Sequence, residues 1–166
     1  MIRTVTPMSK TRTLTGAGVI ATIALVLLFG NQAVAEWIPR HTSDDTVWGW
    51  FLRMLSWPAW AFGPRDDTAS AGRELLANDL RALFLIAFVA LVLSMAAKNI
   101  TGGSAAFFIG WFALILASAL AALLTHFILA NSSLLGAFSA AASGSAYGLF
   151  IGWIVGIATS TAKKAA

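Results

Sequence analysis

Long apolar runs, four of them, dominate the pattern of this chain. They are separated by two short polar links and one longer mixed segment. The first run, 14–35, carries no charge in 22 residues. The second, 82–97, is bracketed by Arg81 and Lys98, whose aliphatic stems let their charges reach polar surroundings. The third and fourth cover 105–130 and 134–161. A hydrocarbon layer about 30 Å thick needs about 20 helical residues at about 1.5 Å each, so all four are read as spans, the last two tilted. None shows the two-residue alternation of a barrel strand, and backbone groups in lipid must bond within the segment, so the spans are helices.

The pattern predicts an all-α integral membrane protein. Its fold is a four-transmembrane-helix bundle with an extracytoplasmic, amphipathic interfacial helix between spans 1 and 2. In order, the expected parts are a basic arm 1–13, span 1 at 14–35, an outer segment 36–80, span 2 at 81–98 and a turn 99–104. Span 3 at 105–130, an outer turn 131–133, span 4 at 134–161 and a tail 162–166 complete the chain.

Composition agrees. Of 166 residues, 58% are apolar and 11% charged, against roughly 25% charged in soluble domains, and mean hydropathy is +0.80. So few charges exclude an ordinary soluble enzyme, a disordered tail and a nucleic-acid binder. With no cysteine, the chain has no disulfide, thiolate ligand or thiol nucleophile.

Charge placement sets the expected orientation. Arg3, Lys10 and Arg12 lie in the arm, Lys98 at the end of span 2 next to the 99–104 turn, and Lys163 and Lys164 in the tail, with no acidic residue among them. All 7 acidic residues (Glu36, Asp44, Asp45, Asp66, Asp67, Glu74 and Asp79) lie between spans 1 and 2. The positive-inside rule then puts both termini in the cytoplasm of a bacterial cell whose plasma membrane the chain crosses. The net charge of +4 is a matter of orientation, and no nucleic acid is expected as a partner. A competing reading takes Arg3–Arg12, the apolar 18–29 and Ala33-Val34-Ala35 before Glu36 as a cleavable secretory signal.

The outer segment carries the aromatic signal. Trp37, Trp48, Trp50, Trp57 and Trp60 are five of the 7 tryptophans and fall within 24 residues, which marks the headgroup level. Thr42 to Asp45 supply N-cap side chains for a helix over 47–57, in which Gly49, Arg53 and Ser56 form a narrow polar stripe on an aromatic body. Ser70 is expected to cap a further helix that runs into span 2. Trp37, Trp48, Trp50, Arg53, Trp57 and Trp60 are read as anchoring and docking residues. Asp44-Asp45 and Asp66-Asp67 are read as solvated or paired with Arg40 and Arg65, since no third ligand or loop spacing makes them a cation site.

Span 4 holds the strongest motif. Gly136, Ala140, Gly144, Gly148, Gly152 and Gly156 recur every four residues. Glycine costs about 1 kcal/mol against alanine in an exposed helix, so the ladder needs a reason, and in lipid that reason is close helix packing. Span 3 has its own small stripe, Gly110, Ala113, Ala117 and Ala121, and joins span 4 through Asn131-Ser132-Ser133, so the two spans are expected to pair within the chain.

Ionisable groups are nearly absent from the spans. His126, beside Thr125 near the end of span 3, is the exception, and a headgroup contact is its expected role. With His41 in the outer segment, a bis-histidine haem site in one chain is not expected. The stretch Ala142-Ser143-Gly144-Ser145-Ala146-Tyr147-Gly148-Leu149 resembles the serine-bearing helix of the rhomboid intramembrane proteases. That resemblance implies a nucleophile at Ser143 and a packing tyrosine at Tyr147. It covers about eight residues, and the family's histidine base on a later helix has no counterpart here, since His126 precedes the serine; a serine without a base is not activated. No phosphate loop, metal helix or dinucleotide fingerprint occurs.

The expected function is therefore a non-catalytic, accessory or scaffolding subunit of a larger bacterial membrane complex. A homo-oligomeric channel or transport component is the alternative, and a rhomboid-like serine protease remnant a minor one. No cofactor is expected. The expected partners are the bilayer, bound lipid and other membrane subunits, whether copies or different chains.

Overall fold

The computed structural model describes residues 10–43, 45–63, 68–129 and 131–165, which fold almost wholly into helix. In chain order these are α1 (Lys10–Phe29), α2 (Gln32–His41), α3 (Val47–Leu55), α4 (Ala69–Ala96), α5 (Gly103–His126) and α6 (Leu134–Ala165), with one 3₁₀ turn, Ala97–Asn99, after α4. Three of them, α4, α5 and α6, are long and apolar enough to cross a membrane. The apolar part of α1, Leu14–Phe29, is shorter.

That shortness corrects the expected first span. The run 14–35 is not one helix: it stops at Phe29 and restarts at Gln32 after the extended residue Asn31. Asn31 makes the break. Its amide nitrogen donates to Leu27 O and Leu28 O at 3.1 and 3.0 Å, closing α1, while its carbonyl oxygen accepts from Val34 N at 3.0 Å, opening α2. Gly30 is required beside it, because a Cβ there would collide with the Pro58 carbonyl. Ala33-Val34-Ala35, the motif behind the competing signal-peptide reading, lies in the first turn of α2.

Two caps also differ from expectation. Thr46, not the preceding four residues, caps α3, its hydroxyl accepting from Gly49 N at 3.1 Å. Thr42 instead closes α2, donating to Ile38 O at 2.6 Å. Thr68 caps α4 through Ala71 N, and Ser70 supports it at 3.0 Å. The helix over 47–57 ends early, at Leu55, ahead of Pro58. As expected, α4 is continuous from the polar outer turns into the apolar run. α5 stops at His126 rather than at 130, and at the opposite end of the bundle α6 continues past 161 to Ala165.

The long helices form a ring. The most extensive contact is α5 on α6; α4 packs on α5, and α1 closes the ring between α4 and α6. Leu14, Leu85, Val89, Leu93, Leu114, Ile151 and Val155 fill the interior. The buried threonine hydroxyls are satisfied by main-chain carbonyls: Thr22 by Gly18 O, Thr125 by Ala121 O, and Thr159 by Val155 O of its own helix and Ala106 O across the seam. The helices α2 and α3, with the 56–68 loop, cap the end at which α1 finishes and α4 begins.

Candidate functional site

Two constructions stand out. One is the seam between α5 and α6, where the ladder lies. A Cβ on Gly144 would meet the Ser118 carbonyl, one on Gly148 the Ile115 backbone, one on Gly152 the Trp111 ring, one on Gly156 the Phe107 carbonyl and one on Gly136 the His126 ring. Ala140 lies half-buried on the same face. The facing surface is the α5 stripe, with Gly110, Ala113, Ala117 and Ala121 all buried. This closeness lets polar side chains reach across to backbone: Ser118 Oγ lies 2.6 Å from Gly144 O, Thr159 Oγ1 2.7 Å from Ala106 O, and the Trp111 indole donates to Leu149 O at 2.9 Å. Such bonds are worth making where the alternative is hydrocarbon.

The other construction is the cap, and it divides the tryptophans into two sets. Trp60 faces inward: its backbone N–H donates to Gly30 O at 2.8 Å and its indole to Val26 O at 3.0 Å, holding the broken end of α1. Asp79 on α4 takes the next N–H, from Ala61, at 3.1 Å. Trp57 lies between α4 and α6. Its ring stacks on Tyr147 at 4.9 Å, and the Arg81 guanidinium lies over it at 5.2 Å. The stack Arg81–Trp57–Tyr147 thus ties three elements together. Arg53 is half-buried and donates to Thr42 O at 3.3 Å, so the polar stripe of α3 turns inward against the end of α2; Gly49 on that stripe is buried against Ser43 O.

The second set faces out. Val47, Trp48 and Trp50 on α3, Trp37 on α2 and Phe62 on the loop are exposed, Phe62 at 93% and Val47 at 83%. Trp37 stacks on His41 at 4.6 Å, and Trp50 meets Phe150 of α6 edge-on at 4.9 Å, so this rim is packed on one side and open on the other. Between α2, the loop and the start of α4 lies a half-open cavity of about 140 Å³ with Gln32, Trp60, Glu74 and Asn78 in its wall.

The residues matched to the rhomboid proteases do not come together as a catalytic group. Ser143 is exposed on α6, whereas Tyr147 is fully buried under Trp57 and its hydroxyl meets no partner. His126 sits against Gly136, seven residues from Ser143 and so about 10 Å along the helix, with Nε2 3.4 Å from Ser133 N. It closes the turn between α5 and α6. Arg40 pairs with Glu36 at 3.5 Å on the exposed side of α2. Asp44, Arg65, Asp66 and Asp67 lie outside the described residues. Among the described residues no three His, Cys, Asp or Glu side chains gather as metal ligands would.

No family model, no curated protein and no solved structure matches the chain.

Proposed function

We propose that this chain is a non-catalytic, accessory or scaffolding subunit of a larger bacterial membrane complex, crossing the plasma membrane four times with both termini in the cytoplasm. On this reading α1 is the fourth span, ended early by Gly30-Asn31, and the cap faces the outer side. The basic residues of the arm, Lys98 after span 2 and those of the tail support that orientation, as does the clustering of acidic residues between spans 1 and 2.

The observation that carries the reading is the outward rim of Trp37, Val47, Trp48, Trp50 and Phe62 on a cap that is itself tied to α1, α4 and α6. Exposed aromatics on a fixed support suit two neighbours at once, the headgroup layer and an adjoining subunit. The ladder contributes rigidity rather than a contact surface, since α5 occupies it.

A homo-oligomeric channel component is the second reading. It draws on Ser139 and Ser143, exposed one turn apart on α6, which a ring of copies would turn toward a pore. Native mass spectrometry of the chain purified from its own membrane in mild detergent separates the two. Stoichiometric foreign membrane subunits are the expected result; a closed ring of identical chains would replace the first reading with the second, and a bare monomer would contradict both.

A further inference from the structure

The bundle is stepped, and the cap rests on its lower step. A Cβ on Gly18 would meet both Leu93 and Thr159, so α1, α4 and α6 share a level there. Twelve residues further toward the cap, about 18 Å at helical rise, stand Gly30, Arg81 and Tyr147. These three are level again, because Trp57 and Pro58 touch them all. Trp57 stacks on Tyr147 and lies under Arg81, and the Pro58 carbonyl abuts Gly30. Here α1 ends, whereas α6 continues for thirteen residues, about 20 Å, to Leu134, with α5 beside it.

The exposed apolar side chains of α5 and α6 give the depth of that step. They run from Phe108 to Phe127 on α5 and from Ile157 to Leu134 on α6, about 28 and 35 Å of helix, which brackets the thickness of a hydrocarbon layer. Tyr147 falls near the middle of this belt, and the cap with it. Yet α4, level with the outer half of the belt, carries Arg73, Glu74, Asn78 and Asp79, the first two exposed. Charged side chains and irregular backbone persist at such a depth where protein or water, not lipid, surrounds them. The half-open cavity walled by Gln32, Glu74 and Asn78 lies on this side of the step. Trp60 borders it, and also borders a second recess lined by Val26, Leu27, Ala82, Leu83 and Ile86, all on the other side of the Gly30–Arg81 level. The indole therefore separates a wall of amides and a carboxylate from one of hydrocarbon.

We propose that the outer half of α4, the start of α2 and the loop at 59–63 line a water-filled vestibule, open at the cap end of the bundle and floored by Trp60 midway through the bilayer. It rests on the membrane reading above, but not on the orientation. The chain has no cysteine, so single introduced ones report access to water. Asn78→Cys and Gln32→Cys lie in the cavity wall; Phe138→Cys lies on the exposed face of α6. Each full-length variant, in right-side-out and in inverted membrane vesicles, is treated with a charged, impermeant thiol reagent, and total thiol is counted after denaturation. The two cavity positions are expected to react at least about ten-fold faster than Phe138→Cys, because a charged reagent follows water and not lipid. Depth alone gives the reverse order, since Phe138 lies nine residues beyond Tyr147 and Asn78 only three beyond Arg81. Leu83→Cys, in the second recess, should stay unreactive. Equal rates at Asn78 and Phe138 would overturn the proposal, since the tip of α5 and α6 would then stand in water. Protection of both cavity positions in both kinds of vesicle would overturn it too. Reaction from the cytoplasmic face alone would keep the vestibule and reverse the orientation. Should Asn78→Cys fail to fold, Glu74→Cys, exposed on the same wall, replaces it. Recovery of the unaltered chain in the soluble fraction without detergent would overturn the membrane reading and the vestibule together; an adverse labelling pattern in a membrane-bound chain overturns the vestibule alone.

Discussion

The α5–α6 seam and the cap over α1 and α4 are built on opposite principles. The seam is made of absences: glycines and alanines bring two backbones together, so that Gly144, Gly148 and Gly156 meet main chain of the facing helix. The cap is made of large groups. Tryptophans, an arginine and an asparagine reach over gaps that no regular helix contact closes. The seam tolerates no added atom along its length, whereas the cap depends on a few long side chains. The first is a rigid pair; the second is a fitted lid whose outer face stays open.

The sharpest way to break this contrast is to add bulk to the seam. Gly148→Leu drives a side chain into the Ile115 backbone and should also strain the Ser118–Gly144 bond. A loss of about 3 kcal/mol or more is expected, read as a lower midpoint in detergent unfolding. In the cap the matching experiment removes bulk. Trp60→Ala should cost about 2 kcal/mol, since the ring is half-buried and its bond to Val26 O is lost. Its effect should be local, seen as faster amide exchange over 30–41 with the seam unchanged.

Smaller changes sharpen the picture. Tyr147→Phe keeps the stack on Trp57 and removes a buried hydroxyl that has no partner, so stability should rise by about 1 kcal/mol. A fall in the unfolding midpoint would mean that the hydroxyl is bonded after all. Gly72 on α4 has open space around it, unlike every glycine of the ladder, and Gly72→Ala should stabilise by about 0.5 kcal/mol through helix propensity alone.

The seam was legible in the sequence because its signal is periodic. A four-residue repeat of small side chains in α6 and a matching stripe in α5 can be read without knowing any neighbour. The cap was only half legible. Its tryptophans stood out, but composition does not tell an inward Trp60 from an outward Trp48; that depends on where the chain turns. The turn itself was hidden because Asn31 and Gln32 are uncharged and pass as part of an apolar run. The Gly30-Asn31-Gln32 sequence, a flexible residue followed by a side chain able to serve two helix ends, was the available cue. Likewise Thr46 and Thr68 win their caps by standing immediately before the first helical residue, where the hydroxyl reaches the right N–H. The Arg81–Trp57–Tyr147 stack joins positions 24 and 90 residues apart and leaves no local trace at all.

One measurement bears most directly on the division between an occupied seam and an open cap. The chain has no cysteine, so a pair introduced as Ala106→Cys and Thr159→Cys, where the Thr159 side chain already reaches Ala106 O across the seam, can bond only with itself or with the same pair in another copy. Oxidation in native membranes should give a monomer with an internal disulfide, detected as a mobility shift without a change in mass class. Disulfide-linked dimers in place of that monomer would mean that the ladder faces a second chain, and the contrast drawn between the two regions would be wrong.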